Sequence, residues 1–453
     1  MKSILPAKEF ITRLWGRPNP KDTVYRLMKY LLRFSVEDGV LLHNTVTGQL
    51  IHMTDEEAGL LDNLPAKPTD AMRELIADHF LVPNNFDEYS SVKQLRKILQ
   101  SRETGDAINH YVILPTTFCN AHCFYCYESD YPRVHMTEET ADKVINFIAD
   151  HHEGKEVIIN WFGGEPLVGI KRIDQISQGL KDREIPYASS MISNGYLFDE
   201  ETVTKAVELW KLERVQITLD GPEEVYNRVK AYMNAAENPY QRVLKNIELL
   251  VDKGVRVNIR LNLGFHNIED IRTLIEELGK RYSGKHLVSG YLSMLFDGEG
   301  FEPVQRSQND TIELAKVMDA LAERMRDLNL FHDKWKAPSL EFKQCIADNP
   351  HALVIQPDGG FCRCEHENVL ESYGNLDEGV LDPQKPIIWK ETIERSDHCD
   401  DCPVYPACFL LSHCFNSERE CVNEYIERYI SSHERHLRTV YLNSLEEKEN
   451  EKV

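Results

Sequence analysis

Three cysteines near residue 120 have the spacing of a metal-binding loop. Cys119, Cys123 and Cys126 stand at C-x3-C-x2-C in the segment FCNAHCFYC. A structural zinc site normally has four protein ligands, so His122 or His135 would have to complete one here, and core cysteines without metal are a second alternative. A cubane iron–sulfur cluster on three thiolates keeps one iron open, and an open position is how a metal site binds substrate. We therefore favour a catalytic cluster.

The position of this loop in the chain supports the same interpretation. It directly follows HYVILPTT, which the sequence predicts as the first strand of an alternating strand–helix region. In parallel α/β folds, chemistry lies at the carboxyl ends of the strands. A closed structural zinc site has no need of that position.

Eight further cysteines all lie after residue 344. The chain has eleven in total, and none falls outside these two groups. Because a reducing cytosol disfavours disulfides, clustered cysteines indicate soft-metal ligands. A zinc ribbon built from Cys399, Cys402 and two later cysteines is the alternative to iron–sulfur clusters. The eight are Cys345, Cys362, Cys364, Cys399, Cys402, Cys408, Cys414 and Cys421.

The composition is that of a globular protein with a strongly acidic surface. The chain has 453 residues, too many for one hydrophobic core, and a formal net charge of −22. That charge argues against nucleic acid or an anionic membrane as the main partner. No apolar run approaches the ~20 residues that span a bilayer, and the first residues lack the apolar region of a secretory signal. We expect a cytoplasmic protein.

The predicted elements divide the chain into three domains. Residues 1–105 contain short strands and helices, with a capping-box helix start at Thr54 and Glu57, and end in a helical connector. Residues 106–335 alternate strands with helices, which predicts a parallel sheet, open or curved into a partial barrel, with strands apolar on both faces. Residues 336–453 contain cysteine-bearing loops and one long amphipathic helix. The predicted strands of the middle domain are HYVILP, EVIINWF, YASSMIS, RVQITLD, VRVNIRLNL and HLVSGYLSMLF.

The cysteine loop resembles the signature of the radical SAM superfamily. An aromatic residue, Tyr125, precedes the last cysteine, as in that family. The resemblance implies an α/β fold with a partial (β/α)6 barrel and a [4Fe–4S] cluster on the three cysteines. It also implies S-adenosylmethionine chelated to the open iron through its amino and carboxylate groups. Cleavage of S-adenosylmethionine by an electron from the cluster would give a 5′-deoxyadenosyl radical, so the cofactor carries the hard chemistry and the protein positions it.

A second superfamily motif follows the second predicted strand. Gly163, Gly164 and Glu165 lie in WFGGEP, which matches the GGEP motif that receives the methionine ammonium of S-adenosylmethionine. Glycines permit close backbone approach, and Glu165 offers a charge-assisted acceptor. A lone Gly-Gly pair is ordinary turn chemistry, but its place after a strand favours the motif.

Two more positions resemble cofactor contacts of the family. Ser193 and Asn194 in ISNG follow the third strand, where the family binds the ribose hydroxyls, although Asn-Gly is also a favoured turn. Arg260 in NIRLNL stands where related enzymes place an arginine on the methionine carboxylate, although a strand arginine is commonly a surface ion pair. Asp220 in LDGPEEVYNRVK also resembles the end of the family's fourth strand, and we assign it no role.

The C-terminal cysteines resemble the SPASM extension of radical SAM enzymes, which holds two auxiliary [4Fe–4S] clusters. The resemblance therefore implies three [4Fe–4S] clusters in all. The spacing departs from the family, because five residues separate Cys408 from Cys414 where three are usual, and Cys421 follows soon after. By position in that motif, the first auxiliary cluster takes Cys345, Cys364 and Cys414, and the second takes Cys399, Cys402, Cys408 and Cys421. Cys362, two residues before Cys364, is the expected fourth ligand of the first cluster, and the alternative is an open iron that binds a substrate thiolate.

Together these resemblances imply a radical SAM peptide maturase with a SPASM domain. It would abstract a hydrogen atom from a ribosomally made precursor peptide and form a thioether or carbon–carbon cross-link, with Glu365 as the base and a flavodoxin or ferredoxin as the electron donor. The N-terminal domain resembles a winged-helix-like element that binds a leader peptide, with LLRFSVE, residues 31–37, as the predicted edge strand. The alternatives are an anaerobic sulfatase-maturase-like enzyme that forms formylglycine, and a non-catalytic iron–sulfur carrier or zinc structural protein.

Overall fold

The computed structural model groups the chain into two compact units. Unit 1 consists of Met1–Thr104, Lys334–Asp348 and Ile388–Val453, and unit 2 of Gly105–Asp333 and Asn349–Ile387. The segment after residue 335 is thus shared between the units, and the three-domain division stays a prediction. The structure describes residues 1–15, 24–102, 107–235, 237–295, 308–330, 337–340, 345–389, 391, 393, 394, 396–411, 421 and 423–450.

Unit 1 contains a small antiparallel sheet. Within its described residues, four strands pair in the order β1-β5-β4-β3, while β2 and β6 form a separate antiparallel pair. The strands are β1 (Lys2–Leu5), β2 (Tyr25–Leu27), β3 (Leu31–Val36), β4 (Gly39–Asn44), β5 (Leu50–Met53) and β6 (Leu81–Pro83). The helices are α1 (Glu9–Trp15), α2 (Asp55–Ala58), α3 (Arg73–Ala77), α4 (Glu88–Arg102) and, near the C-terminus, α13 (Asn423–Asn450).

Helices cover both faces of this sheet. One face packs on α2 and α3 through a buried apolar cluster that includes Leu42, Ile51 and Leu75. The other face packs on α13, where Leu437 and Tyr441 are buried against β3, β4 and β5. The predicted capping box is confirmed: the Thr54 hydroxyl accepts the Glu57 N–H at 3.3 Å, and the Glu57 carboxylate accepts the Thr54 N–H at 3.0 Å.

Unit 2 is built on a parallel sheet whose six main strands match the six predicted from the sequence. These are β7 (His110–Ile113), β8 (Val157–Trp161), β9 (Tyr187–Ser193), β10 (Leu212–Leu219), β11 (Arg256–Leu263) and β12 (Val288–Met294). Each pairs in parallel with the next in the chain. Sequential addition on one side, with a helix in each crossover, is the arrangement of a (β/α) half-barrel.

The sheet extends beyond β7 instead of closing. β13 pairs in parallel with β7, and three short antiparallel strands follow it, so the described residues form one open sheet of ten strands between β12 and β16. The added strands are β13 (Ala352–Ile355), β14 (Gly360–Cys362), β15 (Gly374–Asn375) and β16 (Gly379–Val380). The helices are α5 (Glu138–His151), α6 (Ile170–Asp182), α7 (Glu200–Glu208), α8 (Glu223–Lys230), α9 (Pro239–Asp252), α10 (Ile268–Tyr282), α11 (Gln308–Asp327) and α12 (Gln384–Trp389).

The prediction that these strands are apolar on both faces is wrong. One face packs on the helices through a large core that includes Ile159, Trp161 and Ile217. Along β9, buried and partly exposed residues alternate, and the partly exposed face of the sheet carries polar side chains such as Gln216 and Arg260. The sheet therefore presents one polar face that is available for binding.

In the part of the chain that the structure describes, no helix is both long enough and apolar enough to cross a membrane.

Candidate active site

The three-cysteine loop lies directly after β7. Cys119, Cys123 and Cys126 are all half-buried, and the Ala121 N–H donates to the Cys119 sulfur at 3.4 Å. Burial raises the pKa of the Cys119 thiol to about 12 and that of Cys126 to about 11. These thiols need a cationic partner to become thiolates at neutral pH, which fits a metal cluster as that partner.

Two histidines, His122 and His135, could have completed a zinc site at this loop, and the structure shows other contacts for both. His135 lies with Nδ1 2.9 Å from the Thr116 hydroxyl, and its ring stacks on Phe118. The backbone N–H of His122 donates to the Lys230 carbonyl. Among the described residues, no three His, Cys, Asp or Glu side chains converge tightly enough to hold a single metal ion.

The two glycines after β8 allow the GGEP turn to reach the cysteine loop. A Cβ on Gly163 would lie 2.2 Å from the Thr116 carbonyl oxygen, and one on Gly164 would lie 2.4 Å from that of Phe118. Gly163 also has a φ of +121°, which side-chain-bearing residues rarely adopt. The Glu165 N–H donates to the Phe118 carbonyl at 2.9 Å, so the turn is tied to the loop by its backbone.

Glu165 links the GGEP turn to the ISNG segment. Its side chain is fully buried, and Oε1 accepts the Ser193 hydroxyl at 2.9 Å and the Leu167 N–H at 3.2 Å. Oε2 accepts the Asn194 N–H at 2.7 Å. Burial raises the pKa of Glu165 to about 7, against the opposing effect of these hydrogen bonds. The carboxylate therefore fixes the end of β9 to the end of β8.

Asn194 completes the connection to the cysteine loop. Its Nδ2 donates to Asn120 Oδ1 at 2.7 Å and lies 3.9 Å from the Cys119 sulfur. Its Oδ1 accepts the Tyr196 N–H, which closes the Asn-Gly turn. The structure thus brings together the first three sequence motifs, because Asn120, Asn194 and Glu165 form one hydrogen-bonded chain.

Asp220, to which the sequence assigned no role, forms the centre of a second buried network. It accepts the Tyr125 hydroxyl on both oxygens at 2.8 Å, the Lys230 ammonium at 3.0 Å and the Asn262 amide at 3.0 Å. Its place directly after β10 is a strand-end position like those of Glu165 and the cysteine loop. That placement was the available signal, whereas nothing in the sequence pointed to Lys230.

Arg260 lies half-buried in β11 on the polar face of the sheet. Its Nε donates to Asn262 Oδ1 at 2.9 Å, which connects it to the network of Asp220. Burial lowers the pKa of His366 to about 4, and the Arg260 guanidinium adds to this effect. Arg260 is therefore a cation on the binding face, within electrostatic range of the turn that follows β14.

Cys362 ends β14, and the turn after it carries Cys364 and the predicted base, Glu365. Cys364 accepts the His366 N–H at 3.5 Å, and its sulfur lies 4.0 Å from a Glu365 carboxylate oxygen. Burial raises the pKa of Glu365. Cys362 is fully buried, with its sulfur 3.6 Å from the Gln356 amide nitrogen. The roles of these residues as cluster ligands and base stay predictions.

Four of the C-terminal cysteines come together in unit 1. Cys399, Cys402 and Cys408 follow one another through turns in which each N–H bonds a carbonyl three residues earlier. Burial raises the pKa of Cys408 to about 12, with Cys402, Cys421 and Cys399 adding to the rise. Burial likewise raises the pKa of Cys421, with Cys399 adding to it. These are the four ligands predicted for the second auxiliary cluster.

The first auxiliary cluster is less completely described. Cys345 is exposed and belongs to unit 1, while Cys364 belongs to unit 2. Cys414 lies outside the described residues. The set of cysteines that ligates the first auxiliary cluster therefore stays a prediction.

Comparison with known protein sequences identifies the domain that carries this site. Residues 113–278 match the model of the Radical SAM superfamily, so the chain contains a radical SAM domain. The radical SAM cyclopropyl synthase TigE of Paramaledivibacter caminithermalis is 26% identical over 391 residues, which cover 79% of this chain and 77% of TigE. GTP 3′,8-cyclase of Clostridium perfringens is 24% identical over 309 residues, 65% of this chain and 92% of the cyclase.

Solved structures share the fold. Streptococcus suis SuiB bound to its precursor peptide SuiA has a TM-score of 0.53 and 14% identity, over 88% of this chain and 99% of SuiB. The enzyme anSMEcpe with bound AdoMet has a TM-score of 0.58 and 17% identity, over 74% of this chain and 99% of that chain.

Proposed function

We propose that this chain, which carries a radical SAM domain, is a peptide maturase that abstracts a hydrogen atom from a ribosomally made precursor peptide and forms a thioether or carbon–carbon cross-link. The observation that carries the proposal is the hydrogen-bonded assembly of the cysteine loop, Asn120, Asn194 and Glu165 at the carboxyl ends of three adjacent strands. A built site at that edge of a parallel sheet is where α/β enzymes bind substrates.

The residues of this site fit a [4Fe–4S] cluster and S-adenosylmethionine. Three half-buried thiols would hold the cluster and leave one iron open. Glu165 would accept the methionine ammonium, Arg260 would bind the carboxylate, and the ISNG segment would bind the ribose. When bound, this pair of cofactors supplies a 5′-deoxyadenosyl radical, with the electron coming from a donor such as flavodoxin or ferredoxin.

An open strand edge in unit 1 supports a peptide partner. Among the described residues, β3 is at the end of the sheet order and pairs with β4 on one side, which supports its use as a docking edge. A two-residue turn joins β3 to β4, so Val36 and Gly39 form the first hydrogen-bonded pair of residues between the two strands. Along β3, residues that hydrogen-bond to β4 then alternate with residues whose backbone groups face away from it. Exposed Arg33 and Ser35 therefore direct their backbone N–H and C=O groups to the open edge, where a leader peptide can add as a strand.

Two relatives bear on the choice of substrate and product. SuiB, whose structure contains a precursor peptide, aligns over more of this chain than anSMEcpe does, which favours a leader-binding maturase. A cyclopropyl ring is closed by a carbon–carbon bond, so the name of TigE is consistent with the carbon–carbon branch of the proposal. On the same proposal, the auxiliary clusters accept the electron left by oxidative cross-linking, and Glu365 removes the proton.

Formylglycine formation, the alternative that the sequence left open, is the second candidate. The two functions are distinguished by the product. Incubation with a precursor peptide from a neighbouring reading frame, S-adenosylmethionine and reductant should remove two hydrogens from the peptide without making it reactive toward aldehyde reagents. An aldehyde-reactive product would favour the second candidate.

Strand addition is tested with a matched pair of variants. Ser35→Pro removes one backbone N–H that faces the open edge and leaves the pairing of β3 with β4 intact. The peptide would lose one hydrogen bond, worth about 1.4 kcal/mol, so we expect its affinity to fall about 10-fold. Ser35→Ala keeps the N–H and should bind like the parent enzyme. Equal peptide affinity of both variants, measured by fluorescence anisotropy, would contradict β3 as the docking edge.

A further inference from the structure

A buried charge pair lies beside the cysteine loop. Asp220 follows β10 and is 2% exposed, and Lys230 ends α8 and is 3% exposed. The Lys230 ammonium lies 3.0 Å from Asp220 Oδ2. Desolvating two charges costs several kcal/mol per ion, so a buried pair is a poor stabiliser compared with apolar residues of the same volume. The burial of this pair therefore indicates a role other than stability.

The pair contacts the loop on both sides of Cys123. On one side, the His122 N–H donates to the Lys230 carbonyl at 2.9 Å. On the other, the Lys230 ammonium donates to the Tyr125 hydroxyl at 3.0 Å, and that hydroxyl donates to Asp220. Lys230 thus fixes both His122, directly before Cys123, and Tyr125, two residues after it.

The pair places two opposite charges close to Cys123, because both side chains hydrogen-bond Tyr125, two residues further along the loop. Burial alone would lower the pKa of Lys230, but Asp220, 3.0 Å away, raises it and favours the ammonium form. Asp220 accepts hydrogen bonds from three donors, as an ionised carboxylate does.

We propose that Lys230 and Asp220 are positioning residues that set the reduction potential of the cluster held by the cysteine loop. The inference rests on the proposed function, because it requires a cluster on those cysteines. Reduction adds one negative charge to the cluster. The ammonium favours the reduced form and the carboxylate disfavours it, and both effects are strong because the two side chains are shielded from water.

The test is a redox titration of the reconstituted enzyme, followed by EPR. The cluster of the cysteine loop is identified as the one whose spectrum changes on addition of S-adenosylmethionine. Asp220→Asn should raise the reduction potential of this cluster, and Lys230→Met should lower it. Each variant should change the ratio of reduced to oxidised cluster about tenfold at a fixed solution potential, which corresponds to 59 mV for one electron. The double variant should return to within about threefold of the parent, and Lys230→Arg, which keeps the charge, should do the same.

A matched control removes one charge from an exposed ion pair. Glu248→Gln, whose partner Arg281 lies 2.9 Å away on the helical side of unit 2, should leave the potential unchanged. Shifts of the same sign in the two single variants, or no shift with parental iron content, would overturn the proposal. If Lys230→Met does not retain iron, Asp220→Asn decides alone, since a potential that fails to rise overturns it. A parent enzyme without any cluster that responds to S-adenosylmethionine would overturn the proposed function as well, before any variant is compared.

Discussion

Replacement of Glu165 by glutamine separates the structural and cofactor-binding roles of the GGEP motif. A carboxylate has about four acceptor sites, and Ser193, Leu167 and Asn194 already occupy three of those on Glu165. One site on Oε2 is left for the methionine ammonium. A hydrogen bond between charged groups is worth about 1.5–3 kcal/mol, so its loss should raise the Kd for S-adenosylmethionine roughly 10- to 100-fold.

The same substitution has a smaller effect on stability. The glutamine NH2 group, in the place of Oε2, cannot accept a hydrogen bond, so the buried Asn194 N–H loses its partner at a cost of about 1–3 kcal/mol. Removal of a buried charge offsets part of that cost, because burial raises the pKa of Glu165 to about 7 and thus disfavours its ionised form. We therefore expect Glu165→Gln to fold and to retain its iron.

The assay is equilibrium binding of S-adenosylmethionine to the reconstituted protein, together with thermal unfolding and iron content. Glu208→Gln, at an exposed position of α7, is the matched control and should bind like the parent. A folded, iron-loaded Glu165→Gln variant whose Kd stays within threefold of the parent would refute the assignment. Glu165 would then be a purely structural link between β8 and β9.

Three further variants test the remaining assignments. Replacement of Cys119, Cys123 and Cys126 together by alanine should abolish formation of 5′-deoxyadenosine while the iron of the auxiliary clusters is retained; residual 5′-deoxyadenosine would show that the open iron lies elsewhere. Glu365→Gln should slow peptide turnover at least tenfold and spare uncoupled cleavage of S-adenosylmethionine, and normal turnover would remove it from the mechanism. Cys362→Ala should change the Mössbauer spectrum of the first auxiliary cluster if it is the fourth ligand, whereas an unchanged spectrum means that Cys362 only packs against Gln356.

Much of unit 2 could be predicted because its signals are local. The six strands follow from short β-branched runs between helical segments, and each motif is a contiguous stretch at a strand end. Parallel strands place their carboxyl ends at one edge of the sheet, so motifs that follow neighbouring strands lie near one another. Glu165, Asn194 and Asn120 of the cysteine loop are accordingly joined by hydrogen bonds, while their roles toward a cofactor stay predictions.

The features that sequence reasoning missed depend on side chains meeting across the fold. Lys230 meets Tyr125 although 105 residues separate them, and neither position has a local signature for a buried charge. The polar face of the sheet was missed for a related reason. Polar residues such as Gln216 and Arg260 interrupt runs that are otherwise apolar, and periodicity cannot show that helices cover one face of the sheet and leave the other available.

Unit 1 depends still more on distant contacts. The Tyr441 hydroxyl donates to both carboxylate oxygens of Asp38 at 2.7 Å, across 403 residues of sequence. The Thr45 hydroxyl donates to the Pro403 carbonyl at 2.7 Å, across 358 residues. One face of the N-terminal sheet and the C-terminal helix α13 therefore share one apolar core, while α2 and α3 cover the other face of the sheet.

This shared core decides which experiment can test leader binding. Deletion of residues 1–104 would remove the sheet on which Leu437 and Tyr441 are buried, and would expose apolar surface of α13 in the same cluster as Cys402, one of the cysteines assigned to an auxiliary cluster. Loss of peptide processing in such a truncation would follow from a disrupted unit 1 whether or not β3 binds the peptide. Ser35→Pro acts on an exposed position of the edge strand and leaves both faces of the sheet covered. The single substitution therefore distinguishes a docking edge from a structural role, and the deletion does not.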